Sequence, residues 1–314
     1  MPPVLYYPSV STNEIGRLHL MATESSRGAV RKVFRHYENF SVVSFRQPRR
    51  IKEALRNIYA YCRTADDLAD ETGDSEKALA GLEQWELQFQ RALEGRTSSH
   101  PPNSTHPILE SLAETITTFH LPQQPFLDLL TAFRQDQIVS RYPTFDDVLK
   151  YCRYSANPVG RIVLAVFGYR DEKYYPASDA ICTGLQLANF WQDVARDAEM
   201  GRIYLPTEDL HRYRVSEDDI LNKRFSTSFK ELLAFQVDRT QTWFERGSEL
   251  TEMLGRNIRW EIEMFRQAGM SVLSGIRKVD FNVFRHRPQI SATQKLWIGL
   301  TCLPVLLRKT ANGR

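Results

Sequence analysis

Leu185–Pro206 reads LQLANFWQDVARDAEMGRIYLP, and its spacing decides the fold. Gln186, Asn189, Asp193 and Asp197 follow one another at steps of three and four residues, so on a helix they share one face. Ile181, Leu185, Leu187, Phe190, Trp191 and Val194 occupy the remaining circumference. A surface helix is apolar on one side and charged on the other. This one is apolar over most of its surface, with a narrow acid–amide stripe. The pattern predicts a buried helix over 173–199 whose polar edge lines an internal cavity.

A second stretch repeats the arrangement. In Ile58–Glu71, IYAYCRTADDLADE, the residues Tyr59, Arg63, Asp66 and Asp70 advance by four, three and four. Leu55, Ile58, Cys62, Ala65, Leu68 and Ala69 cover the other faces. Two acids one turn apart repel by roughly 0.2–0.5 kcal/mol on an isolated helix, and by more when desolvated. Two such pairs inside apolar helices call for compensation. Mg²⁺, and Mn²⁺ as a substitute, would supply it, because a hard cation takes carboxylate oxygens and keeps sites for water and phosphate. If the two helices face each other, four carboxylates converge where metal ions can hold a diphosphate and make it a better leaving group. Asp67 and Glu71 form a parallel pair one position around the helix, and spacing alone does not choose between the registers.

Outward from these segments the chain keeps helical periodicity. Helices are expected near 27–39, 49–71, 75–95, 106–120, 123–139, 145–168, 173–199, 227–254, 257–285 and 292–311. Thr97–Pro107, rich in Ser, Pro and Asn, reads as a surface loop. The best strand candidate is Ile203–Leu205, which is short and bounded by Gly201 and Pro206. No repeat or linker divides the sequence. The expectation is an all-α protein, one helical bundle over residues 1–314 around a central cavity, with residues 1–26 irregular and a terminal helix in 291–314.

Composition narrows the function. With 41 basic and 38 acidic residues the net charge is +3, which does not argue for nucleic acid. Cys62, Cys152, Cys182 and Cys302 form no C-x-x-C pair, fitting free thiols in a reducing compartment. His19, His100, His106, His120, His211 and His286 lack ligand spacing and are read as surface or packing residues. The Met1–Gly16 segment lacks the basic and apolar regions of a signal peptide. No apolar run approaches the ~20 residues that span a bilayer. The expected location is cytoplasmic. The tail QKLWIGLTCLPVLLRKT is read first as a packing helix. The alternative places it in a membrane interface, with Trp297 and the leucines inward, at the inner face of the membrane. No G-x-G-x-x-G is present, so NADPH is not expected.

The two quoted stretches resemble the squalene/phytoene synthase family of trans-isoprenoid synthases, from about Arg31 to Pro288. The resemblance implies the isoprenoid-synthase fold. It makes Asp66/Asp70 the first metal pair and Asp193/Asp197 the second, and places Tyr59, Arg63, Gln186 and Asn189 on the diphosphate or its metal shell. His36, Asn39 and Phe40 match the family's N-terminal flap; Tyr151, Ser155 and Val159 match tunnel-lining positions; Tyr204 lies in the conserved tail. Arg287 matches a diphosphate-binding arginine near the end of the family's C-terminal helix.

Local departures shift the resemblance toward one branch. ENFSV puts Asn39 where Ser is usual, Gln192 stands where Arg is common, and SANPVGR replaces the usual V-A-G-x-V-G. With RTADDLADE and NFWQDV these look like the bacterial hydroxysqualene synthase branch of hopanoid biosynthesis. That branch implies ionisation of presqualene diphosphate and capture of the cation by water. Phe40, Tyr151 and Tyr204 would stabilise the cation through their ring faces, and Asn39, Asn157 and Gln192 would hold the water. The expected partner is a small prenyl diphosphate, with functional coupling to other squalene-pathway enzymes. One alternative is head-to-head condensation of two farnesyl or geranylgeranyl diphosphates. Another is a non-catalytic assembly or binding protein on the same fold, which would have no need of both aspartate pairs.

Overall fold

A computed structural model describes residues 47–70, 73–95 and 106–307. The expected helix at 27–39, the flap residues His36, Asn39 and Phe40, and Glu71 lie outside that range. All named elements among the described residues are helical. Contacts gather them into two units. One comprises the described residues up to Ile138 together with Arg161–Arg170; the other comprises Val139–Gly160 and the described residues from Asp171 onward.

The first unit is built from α1 (Arg49–Asp70), α2 (Ser75–Gly95), α3 (Pro107–Phe119) and α4 (Gln124–Gln135). Helix α3 begins with Pro107, and the side chain of His106 accepts from the Ile108 amide. It ends at His120, which adopts a left-handed φ of 48°. Tyr61 lies on the side of α1 opposite the aspartate stripe. Its ring packs 5.9 Å from Trp85, 5.2 Å from Phe89 and 5.5 Å from Phe126, and its hydroxyl donates to the Phe126 carbonyl at 3.1 Å. That anchor fixes the rotation of α1 and hence the direction of its polar edge.

The second unit contains α5 (Phe145–Ser155), the start of α6 (Asn157–Val166), α7 (Tyr175–Glu199), α8 (Thr207–Arg212), α9 (Glu217–Leu221), α10 (Thr227–Arg246), α11 (Leu250–Met253), α12 (Arg259–Lys278) and α13 (Ala292–Thr301). Helix α7 packs most extensively on α10 and α12. The three meet at the fully buried Phe244 ring. A Cβ on Gly184 of α7 would stand 2.9 Å from that ring; one on Gly269 of α12 would overlap it and come within 2.9 Å of Leu185. Glycine at both positions lets the helices close on the ring. Nearby, the buried Trp191 indole donates to the Thr240 hydroxyl at 2.7 Å.

Several boundaries differ from expectation, each for a local reason. The helix expected at 145–168 is broken at Ala156, because Pro158 has no N–H to donate four residues back. The helix expected at 257–285 stops at Lys278, beyond which Asp280 and Phe281 take φ of 53° and 61°. The helix at 227–254 is interrupted by a 3₁₀ turn at Gly247–Glu249. That at 292–311 tightens into 3₁₀ geometry at Leu303–Leu307, around Pro304. The strand expected at Ile203–Leu205 amounts to one isolated bridge between Ile203 and Arg141. Gly201, at φ +70°, ends α7 and sends Arg202 back to donate to the Asp197 carbonyl; Pro206 then denies the segment a further donor.

Candidate functional site

In the first unit the stripe on α1 exists as expected. Tyr59, Arg63 and Asp66 are buried, while Asp70, one turn from Asp66, is exposed. The Arg63 guanidinium bonds Asp66 Oδ2 at 2.7 Å and also pairs with Asp67. Burial, together with the Asp70 charge, pushes the Asp66 carboxyl up to about 8 against the pull of Arg63. An acid shifted that far is short of positive charge. The donor set, two carboxylates one turn apart with one of them desolvated, fits a hard divalent cation.

In the second unit Gln186, Asp193 and Asp197 are buried and Asn189 is half-buried, so α7 is covered around most of its circumference. Asp193 does not stand alone. Arg287 reaches it from beyond α12, donating from Nε to Oδ1 at 2.5 Å and from Nη2 to Oδ2 at 3.0 Å. A bidentate guanidinium–carboxylate pair is among the stronger polar contacts available. The residue expected to bind diphosphate is therefore held on an expected metal ligand. Among the described residues no group of three or more His, Cys, Asp or Glu side chains is gathered for a metal. Each aspartate pair offers two carboxylates, which suits Mg²⁺, a cation that completes its shell with water and phosphate oxygens.

The aromatic positions converge within the second unit. Tyr204 stacks on Phe190 with ring centroids 3.8 Å apart and planes at 10°. Tyr151 lies 5.9 Å from Tyr204, and Tyr142 lies 5.5 Å from Tyr204 and 5.8 Å from Tyr151. All four rings are buried. Tyr151 and Tyr204 were expected; Phe190 and Tyr142 were not assigned a role. Phe190 was findable, because it precedes Asp193 by three and so lies beside it on α7. Tyr142 lies in the non-helical segment before α5 and has no periodic signal. Phe190 and Tyr204, with Val194, Asp197, Arg202, Ile203, Leu205 and Ile220, enclose a pocket of about 10 Å³. That is close to the ~10–15 Å³ needed for one water.

The remaining expected residues have defined partners or positions. Asn157 accepts from the Thr183 hydroxyl at 3.0 Å. Gln192 donates to the Pro288 carbonyl, next to Arg287. Ser155 is buried and its hydroxyl has no hydrogen-bond partner among the described residues; Val159 is half-buried. Residues 155–159 straddle the break between α5 and α6.

The family model for squalene/phytoene synthase matches residues 33–294. The chain belongs to the squalene/phytoene synthase family. Squalene/phytoene synthases act on prenyl diphosphates, so the chain is an enzyme of isoprenoid biosynthesis, and its all-helical architecture is the isoprenoid synthase fold. It is 33% identical over 267 residues to phytoene synthase of Arthrospira platensis, covering 81% of this chain and 83% of that one. Against 15-cis-phytoene synthase of Synechocystis it is 32% identical, with 88% and 83% covered. The crystal structure of squalene synthase HpnC from Alicyclobacillus acidocaldarius aligns with a TM-score of 0.74 and 38% identity, over 87% of this chain and 97% of that one. A ligand-bound dehydrosqualene synthase aligns with a TM-score of 0.79 and 25% identity, over 90% and 96%. Among the described residues no helix is long and apolar enough to cross a membrane.

Proposed function

We propose that this enzyme converts presqualene diphosphate and water to hydroxysqualene and diphosphate. The observation that carries the squalene-side reading is the similarity to the HpnC squalene synthase, 38% over 87% of the chain, against 33% over 81% for the Arthrospira phytoene synthase. The departures at Asn39, Gln192 and Ser155–Arg161 point the same way.

Asp66, Asp70, Asp193 and Asp197 would hold Mg²⁺, which supplies positive charge to the diphosphate as it leaves. Arg63 and Arg287 add guanidinium groups beside each aspartate pair. The carbon–oxygen bond breaks with its electron pair passing to the diphosphate. The resulting cation rearranges. Water then forms the new carbon–oxygen bond, and its proton is lost to the released diphosphate or to solvent. The clustered rings of Tyr142, Tyr151, Phe190 and Tyr204 offer π-faces that would stabilise a cation without reacting, a contact worth ~2 kcal/mol when desolvated. Phe40 is assigned the same task from the family match, and Asn39, Asn157 and Gln192 the positioning of water.

The second reading is head-to-head condensation of two prenyl diphosphates, favoured by the curated relatives named phytoene synthase. Product analysis by mass spectrometry separates the two. Purified enzyme with Mg²⁺ is supplied with presqualene diphosphate, farnesyl diphosphate or geranylgeranyl diphosphate. A C30 alcohol from the first substrate alone is the expected result. A hydrocarbon or cyclopropyl diphosphate made from the other two overturns the proposal in favour of condensation.

A further inference from the structure

The end of the described chain carries an apolar face that nothing among the described residues of its own unit covers. Helix α13 is capped by Ser291, which accepts from the Gln294 amide, and it continues as the 3₁₀ turn Leu303–Leu307. One side of this segment packs inward. Ile298, Cys302 and Val305 are buried, the Trp260 indole donates to the Gly299 carbonyl at 3.1 Å, and Arg259 donates to the Val305 carbonyl at 3.4 Å. The other side is equally apolar and points to solvent. Leu296, Leu300, Leu303 and Leu307 recur at steps of four, three and four and are 67%, 51%, 41% and 81% exposed; Trp297 beside them is 67% exposed. Five of the eleven large apolar side chains exposed among the described residues fall in these twelve positions, so the feature is a patch and not scatter.

Charge identifies the occupant. From Pro288 to Arg314 the sequence holds no Asp or Glu, whereas Lys295, Arg308, Lys309 and Arg314 are basic. A second copy docked symmetrically would bring like charges together. An anionic bilayer offers an apolar interior to the leucines, a headgroup layer to the indole and negative charge to the lysines and arginines. The segment is too short to span a membrane, so it would lie in the plane.

We propose that α13 and the turn after it dock the protein in plane on an anionic phospholipid surface, with Leu296, Leu300, Leu303 and Leu307 inserted, Trp297 at headgroup depth and Lys295 near the lipid phosphates. The test is flotation of full-length protein with vesicles of phosphatidylcholine, with and without 30% phosphatidylglycerol. It is run on the natural chain and on the double variant L296E/L300E. Both substituted positions are solvent-exposed, so the variant should keep its melting temperature and its helical circular dichroism. Wild type should float with the anionic vesicles, at least tenfold less with neutral ones or in 0.5 M NaCl, and the variant should remain at the bottom. Equal flotation of variant and wild type overturns the proposal, as does absence of wild type from the anionic vesicle layer. Sedimentation analysis adds a third overturning outcome: a wild-type dimer that L296E/L300E dissociates, with neither floating, would assign the patch to self-association.

Discussion

Asp66 is an acid whose surroundings favour its proton. Burial and Asp70 raise its carboxyl to about 8, well above the ordinary aspartate value, so the folded protein binds the proton more tightly than the unfolded chain does. Between about pH 4 and pH 8 the folded state then carries a proton that the unfolded state has lost, and stability contributed by this group falls as pH rises. Asp66→Asn removes that dependence. In the absence of divalent cation, the variant should gain on wild type by of the order of 1 kcal/mol per pH unit across this window. Urea denaturation at several pH values checks this; parallel pH profiles would refute it. The same substitution should abolish one mode of Mn²⁺ binding measured by electron paramagnetic resonance.

Arg287 poses the complementary case. Its guanidinium neutralises the buried Asp193. Removing one partner of a buried pair typically costs ~3–5 kcal/mol. Arg287→Ala should therefore melt well below wild type without divalent cation and recover more than wild type does when Mg²⁺ is added, because the metal takes over the neutralising role. Thermal melts with and without Mg²⁺ read this directly. Equal Mg²⁺-induced shifts in the two proteins would show that Arg287 and the cation do not compete for Asp193. This contact was not legible in the sequence. It joins residues 94 apart, no periodicity links them, and the expected role of Arg287 concerned only the ligand.

At the scale of elements, α1 and α7 were legible because each carries two signals at once: a helical period of apolar residues and a polar stripe that a surface helix would not place there. Their observed limits, Arg49–Asp70 and Tyr175–Glu199, lie within two residues of those expected. The breaks inside longer apolar runs were harder. Pro158 gave a visible signal at Ala156, but the end of α12 depends on left-handed conformations at Asp280 and Phe281, residue types that do not announce them. The short α9 was missed although Ser216 and Asp219 form a capping box, since five residues are too few to show a period. Packing between α7 and α10 yields a stability prediction. Thr240→Val keeps shape but removes the acceptor for the Trp191 indole, leaving a buried N–H unsatisfied. Denaturant titration should register a loss of ~1–3 kcal/mol. A loss below about 0.5 kcal/mol would mean that the indole finds another acceptor.

Across the whole molecule, class and chemistry were readable from two short stretches, while the aromatic cluster was only half readable. Tyr151 and Tyr204 came from matched motifs. Phe190 needed its place on α7 to be weighed as more than packing. Tyr142 is brought to them by the non-helical segment at 139–142, where the Ile203 amide donates to the Ser140 carbonyl and the Thr207 amide to the Tyr142 carbonyl. Such long-range backbone ties leave no local trace.

The Phe244 ring clasped between Gly184 and Gly269 has a consequence for motion. A ring seated against backbone on two sides acts as a detent: α7 cannot slide or roll by a fraction of a turn without lifting the ring over a glycine edge. The aspartates of α7 should then keep their register whether the enzyme is empty or loaded, and any rearrangement on loading must be taken up elsewhere in the chain. Hydrogen–deuterium exchange gives the timescale. Amides from Gln186 to Asp193 should exchange equally slowly before and after addition of Mg²⁺ and inorganic diphosphate. A tenfold change there would show that the detent yields. Gly269→Ala, which wedges a methyl group against the ring, should loosen the same amides even without ligand.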